Sequence, residues 1–205
     1  QLKQQYGISM TTHNIDVVRR ASLIVLSVKP QVLLPVMDEV AAHLKPKCLC
    51  ISIAAGVPLQ VLESHLPKST RVVRVMPNTP ALVGAGATAI AAGSTATDDD
   101  LKLTQQIFGA VGFTVVLDED QLDEVTGLSG SGPAYVFYFI EAMVQAAEDM
   151  GLNAEQGRQL ALATFAGATS LAAQSGDSPA TLRERVTSKG GTTHAALTSM
   201  EAAGI

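Results

Sequence analysis

LIVLSVKPQ, residues 23–31, is a continuous apolar run followed by a polar turn and the first residues of a helical pattern. A run without polar alternation predicts a strand covered on both faces, as in a parallel sheet. Two further runs read the same way, Cys48–Ile53 and Arg71–Met76. Ala87–Ala91 and Thr114–Leu117 add two more strands. Helical patterns fill the gaps at Ile15–Arg20, Gln31–His43, Leu59–His65 and Asp98–Ala110. Alternating strand and helix implies an α/β fold with a mostly parallel sheet and crossover helices.

From Asp120 onward no strand pattern remains. Pro133 follows a Ser-Gly-Ser-Gly turn and suits the first turn of a helix running to Met150. Gly151 ends it, and Ala154–Gln174 forms a second long helix. The domain division expected is 1–118 for the α/β part and 119–205 for an all-helical part. A helical domain of roughly 85 residues is near the size at which small domains need a partner. Ala161, Ala163, Ala166, Gly167, Ala168, Ala172 and Ala173 permit close helix packing. That pattern suits a helical dimer interface, and equally a tight monomeric bundle.

PATLRERVTSKGGTTHAALTSME, residues 179–201, reads as helix, glycine turn, helix. Leu182 and Val186 share one face of the first helix. Ser188-Lys189-Gly190-Gly191 breaks it, and Thr192 or Thr193 caps the next, whose apolar face is Ala196, Leu197 and Met200. A glycine turn opening a helix aims free N–H groups outward, which suits an anion such as a carboxylate. The two threonine hydroxyls beside it offer hydrogen bonds. Shape alone fits a plain helix hairpin as well.

Charged residues make up 16% of the chain, against roughly 25% in an ordinary soluble domain. The surface therefore cannot be covered with charge to the usual extent, and part of it is expected to be buried in an oligomer. The net charge of −5, without a basic cluster, argues against nucleic acid and anionic membranes as partners. No apolar run reaches the roughly 18 residues of a membrane span. No signal peptide is recognisable. Cys48 and Cys50 face the same side of a strand and read as reduced core thiols, which suits the cytoplasm.

A Rossmann-like domain carries G-x-G-x-x-G between its first strand and helix. The nearest match, Gly84–Ala89, precedes a strand and is a connection, not a cofactor loop. His13, His43, His65 and His194 are scattered, so no zinc site is expected. His194 is the one histidine beside the glycine turn. Three stretches end strands, where open α/β sheets bind ligands: Ser27-Val28-Lys29-Pro30-Gln31, Ile53-Ala54-Ala55-Gly56-Val57 and Met76-Pro77-Asn78-Thr79-Pro80. Small residues in the second let a cofactor approach the backbone. Asn78 and Thr79 in the third offer hydrogen bonds on a stiff turn. Each alone is an ordinary loop; together they look like the rim of one cleft.

The spacing of Pro179, Leu182, Val186, Thr187, Ser188, Gly190, Gly191, Thr193, Ala196, Leu197, Met200 and Glu201 resembles the signature of pyrroline-5-carboxylate reductases, with Lys189 and Thr192 at its variable positions. The V-K-P, A-A-G-V and M-P-N-T-P turns and T-G-L-S-G-S-G-P-A-Y (residues 126–135) follow that family's order, so the resemblance covers essentially the whole chain. It implies a Rossmann-like sheet followed by an all-helical dimerisation domain. It also implies hydride transfer from NADPH or NADH to the C=N carbon of 1-pyrroline-5-carboxylate, giving L-proline. By the same resemblance the substrate site is Ser188, Gly190, Gly191, Thr192 and Thr193, with Asn78, and Thr193 hydrogen-bonds the ring nitrogen as the catalytic residue. The cofactor side is Asn14, in Thr12-His13-Asn14, with Ser27, Val28, Lys29, Pro30, Ala54 and Ala55. The glycine turn is expected to cover the nucleotide cleft across a dimer interface. The assembly implied is a homodimer or a decamer of dimers. The family's opening βα unit with its glycine-rich loop, its 2′-phosphate-reading segment and its extreme C-terminus are expected to be missing. Two alternatives stay open: another imine or β-hydroxyacid reductase of this plan, and a non-catalytic dimerisation fragment.

Overall fold

Five strands form one sheet in the order β1 (Leu23–Leu26), β2 (Leu49–Ser52), β3 (Arg71–Met76), β4 (Gly86–Ala92) and β5 (Gly112–Val116). The structure is a computed structural model and describes residues 2–204. Gln1 and Ile205, the outer ends of the two expected domains, lie outside the described residues. The pairs β1–β2, β2–β3 and β4–β5 are parallel, as the apolar runs predict. The pair β3–β4 is antiparallel. The reason is local, because the chain between Met76 and Gly86 is too short for the dozen or more residues of a crossover.

Helices cover both faces of this sheet. One face buries Cys48, Cys50, Val72, Ala89 and Ala91 against Leu33, Met37 and Val40 of α3 (Pro30–Ala41) and against Leu59 and Leu62 of α4 (Leu59–Ser64). The other buries Leu49, Ile51, Val73, Val75 and Ile90, with Leu101 and Phe108 of α5 (Asp98–Gly109) packed on them. Two short helices, α1 (Leu2–Tyr6) and α2 (Asn14–Val18), precede the first strand. The cysteines share one face, as their spacing requires, and both are free and buried. Burial pushes the Cys50 thiol up to about 12, with Cys48 adding to the rise.

The connection at Gly84–Gly86 opens no helix and instead leads into β4. Gly86 pairs with Gly112 on β5, and a side chain at Gly112 would overlap the Gly86 backbone. The glycine there serves a close backbone approach.

Beyond the sheet come α6 (Leu122–Val125), a π-helical turn (Thr126–Gly130), α7 (Gly132–Asp149), α8 (Ala154–Ser175), α9 (Pro179–Arg185) and α10 (Thr192–Ala202). The chain divides into two compact units, Gln1–Tyr135 and Val136–Ile205. Among the described residues of the second unit the buried ones are small: Ala147, Gly157 and Ala161. Phe137, Tyr138, Leu160, Leu171 and Val186 are each more than half exposed. A helical unit with its large apolar side chains outside and only small ones inside has not covered its apolar surface by itself.

Candidate active site

β1, β2 and β3 run in one direction, so the loops that follow them leave the sheet along one edge. Ser27 and Val28 end the first. Lys29 takes the N-cap position of α3 and Pro30 its first turn, where a missing N–H costs nothing. After β2, Ala54 is buried and its N–H donates to Ser52 Oγ at 3.3 Å, while Ala55 is exposed. Two alanines at a strand end between two other strand ends leave the backbone bare. That suits the flat face of a nicotinamide ring, and carboxyl ends of parallel strands are where such sheets take nucleotides. The three expected rim stretches are thus brought together.

Asn14 is not among them. It begins α2 and donates from Nδ2 to Glu39 Oε2 at 3.0 Å. Glu39 lies nine residues beyond Pro30 on α3, about 13 Å of helix rise from the rim.

After β3, the Asn78 side chain is used at both ends. Its Oδ1 accepts from Ala87 N–H at 2.8 Å and its Nδ2 donates to the Ser129 carbonyl at 2.9 Å. One N–H and one lone pair of the amide remain for anything else.

In the second unit, Ser178 caps α9 by accepting from Thr181 N–H, and the helix ends at Arg185. Thr187 Oγ1 donates back to the Arg183 carbonyl at 2.6 Å. The bend closes through Gly191 N–H to the Ser188 carbonyl at 3.0 Å. Gly190 has φ +75°, a backbone state that glycine adopts without strain. Neither threonine caps the next helix, contrary to the sequence expectation. Gly191 is the N-cap, without a side-chain hydrogen bond, because the bend closes one residue before the threonines. Thr192 and Thr193 therefore occupy the first turn of α10, where N–H groups have no intrahelical partner. Thr193 is half-buried and Thr192 exposed. His194 helps line a cavity of about 240 Å³ between α9 and α10, with Arg183, Glu184 and Glu201.

The model of the family described as pyrroline-5-carboxylate reductase dimerisation matches residues 119–205. The model described as coenzyme F420-dependent NADP oxidoreductase matches residues 1–56. A pyrroline-5-carboxylate reductase of Methanosarcina acetivorans is 45% identical over 204 residues, 100% of this chain and 76% of that protein. The chain belongs to the pyrroline-5-carboxylate reductase family. A solved pyrroline-5-carboxylate reductase from Coxiella burnetii superposes with a TM-score of 0.90 at 40% identity, covering 98% of this chain and 76% of that one. The Plasmodium falciparum pyrroline carboxylate reductase, solved with NADP bound, gives 0.89 at 32% identity, covering 95% and 74%.

Sequence reasoning missed two features of this family member's rim. One is the π-helical turn Thr126–Gly130, closed by Ser131 N–H to the Thr126 carbonyl at 2.8 Å. Pro133 was its available signal, since proline denies an N–H to the carbonyl four residues earlier. The other is Glu119, whose Oε1 accepts from Leu59 N–H at 2.6 Å and from Arg74 Nη1 at 2.9 Å. Arg74 within an apolar strand run was the signal there, because a buried charge needs a partner. Among the described residues no cluster of three or more His, Cys, Asp or Glu could hold a metal ion.

Proposed function

We propose that this chain reduces 1-pyrroline-5-carboxylate to L-proline at the expense of NADPH or NADH. The observation that carries the reading is the conjunction of family membership with the glycine turn Ser188–Thr193 intact in sequence and shape. The bound nicotinamide supplies the hydride that the imine carbon receives. Every other part of the reaction falls to the protein. Residues 1–118 hold the cofactor and residues 119–205 serve dimerisation and substrate binding. Ser27–Pro30 and Ala54–Ala55 take the nicotinamide and its ribose, and Asn14, set apart from them, takes a more distant part of the dinucleotide.

The substrate carboxylate rests on first-turn N–H groups of α10 and on the Ser188–Gly191 bend, where the helix dipole favours an anion. Thr193 donates a hydrogen bond at the ring nitrogen, which gains a proton as the carbon gains hydride. The second unit's exposed Phe137, Tyr138 and Leu171 support its burial against a second copy, giving a homodimer or a decamer of dimers.

The deciding experiment follows loss of NADPH absorbance, and of NADH in parallel, with and without 1-pyrroline-5-carboxylate. Substrate-dependent oxidation yielding proline is expected. Oxidation that is indifferent to the imine, or none with either cofactor, defeats the reading.

A further inference from the structure

Pro133 has no N–H, so the Ser129 carbonyl lacks the donor that an α-helix would supply from four residues on. The structure supplies it from elsewhere. Asn78 Nδ2, 51 residues away in sequence, donates to that carbonyl at 2.9 Å. The same side chain accepts from Ala87 N–H, one residue into β4. Asn78 itself stands two residues past the carboxyl end of β3. One amide thus joins three pieces of the rim: the end of β3, the beginning of β4 and the π-helical turn. Gly130 lies against the flexible end of Met76, since a Cβ there would come within 2.8 Å of Met76 Cε. Tyr135 closes the turn from its other side, donating from its hydroxyl to the Gly127 carbonyl at 3.2 Å.

We propose that Asn78 is a positioning residue: it replaces the missing Pro133 N–H and so fixes the Ser129–Ser131 backbone against the carboxyl edge of the sheet. The role in turnover rests on the reductase reading above. π-Helical turns recur at functional sites, and a lost backbone bond at such a turn frees the chain on either side of it. Among the described residues, Asn78 is the side chain that satisfies the turn, offering a donor to Ser129 and an acceptor to Ala87 together.

The test is Asn78→Asp, which has nearly the shape of asparagine. It keeps the acceptor for Ala87 N–H and puts an ionised oxygen, without a proton, against the Ser129 carbonyl. Amide hydrogen exchange on the full chain reads the two ends separately. We expect Ser131, whose N–H closes the π-helical turn, to exchange about tenfold faster while Ala87 stays protected. We expect kcat to fall about tenfold with KM for 1-pyrroline-5-carboxylate changed less than about twofold, since misplacement acts on the reacting geometry. Unchanged Ser131 exchange overturns the proposal, whatever the activity. A raised KM at unchanged kcat also overturns it, because that marks a direct substrate contact. Pro133→Ala gives a second line of attack by restoring the N–H. In that background Asn78→Asp should lower the urea midpoint less than in the parent chain, and an equal drop in both would sink the idea. A parent chain that leaves NADPH untouched defeats the reductase reading by itself, while Ser131 exchange and the urea midpoints still decide the clamp.

Discussion

Arg74 Nη1 lies 2.9 Å from Glu119 Oε1, and the same carboxylate oxygen accepts the Leu59 N–H at 2.6 Å. Arg74 is buried in β3, with its side chain 7% exposed, whereas Glu119 is 32% exposed. One carboxylate therefore neutralises a buried guanidinium and satisfies the first residue of α4. Removing it leaves the Leu59 N–H without that acceptor and, among the described residues, leaves Arg74 only the exposed Asp123 carboxylate, 3.9 Å from its Nη2. Glu119→Ala should destabilise the chain by about 3 kcal/mol, the low end for a broken buried pair because Glu119 is partly solvated. Arg74→Met with Glu119→Leu removes both charges and should recover much of that loss. Urea midpoints of the single and double variants check the order.

Thr193→Ala should lower kcat/KM for the imine about 10²-fold, a size typical of a lost proton-transfer partner, with the urea midpoint unmoved. Thr193→Ser keeps the hydroxyl and should retain most of the activity. Equal losses in both variants would assign the effect to the methyl group and remove the hydrogen-bonding role.

Gly191→Val acts on the same site by another route. A Cβ at Gly191 would stand 2.7 Å from Ser188 Oγ, which can rotate away, and 3.2 Å from the Ser188 carbonyl, which must give by a few tenths of an ångström and open the bend slightly. Opening it moves the N–H groups proposed for the carboxylate, and KM for the imine should rise about tenfold or more. A normal KM would show that the anion rests elsewhere.

The elements were legible because their patterns are local. Leu49–Ser52 and Arg71–Met76 are apolar runs buried on both sides, and such runs announce themselves; Leu23–Leu26 reads the same way but is an edge strand and leaves Val25 exposed. The antiparallel β4 was legible in principle, since the short connection after Met76 forbids a crossover, but Ala87–Ala91 carries no sign of direction by itself. The glycine turn proposed for the substrate could be read from residues 179–201 alone because its glycines and threonines are neighbours in sequence. What could not be read is pairing over long separations. Asn78 finds Ser129, and Arg74 finds Glu119, only after the sheet has brought them together. The caps failed for a different reason. Thr192 and Thr193 look like N-caps, yet the Gly191–Ser188 hydrogen bond starts the helix one residue early.

Cys50 links stability to alkaline pH. Its thiol is raised from an ordinary value of 9.0 to about 12, first by burial and then by the neighbouring Cys48. The unfolded chain therefore releases this proton near pH 9, while the folded chain holds it to about 12. The stabilisation is fully present below pH 9 and drains away as pH rises toward 12, by at most about 1.4 kcal/mol per pH unit. Cys50→Ala should be less stable at neutral pH and lose stability less steeply above pH 9. Urea midpoints of the two proteins at several alkaline pH values give the difference, and parallel curves would contradict it.

Gly112 and Gly109 make a matched pair three residues apart. Gly112 has φ +150° and faces Gly86 across the β4–β5 ladder, where any Cβ would overlap the Gly86 backbone. Backbone cannot yield as a flexible side-chain end can, so Gly112→Ala must separate the first rung of the ladder or twist out of its φ. Gly109, at the end of α5, meets nothing within 4 Å of its would-be Cβ. Gly109→Ala gains helix propensity and loses unfolded-state entropy, so it should be neutral or stabilising by up to about 1 kcal/mol. Gly112→Ala should instead cost about 2–3 kcal/mol from overlap and strain together. Thermal or urea unfolding of the two variants measures both. Similar small effects would mean that β5 can shift away from β4 without loss, and that the paired glycines at Gly86 and Gly112 reflect no steric demand.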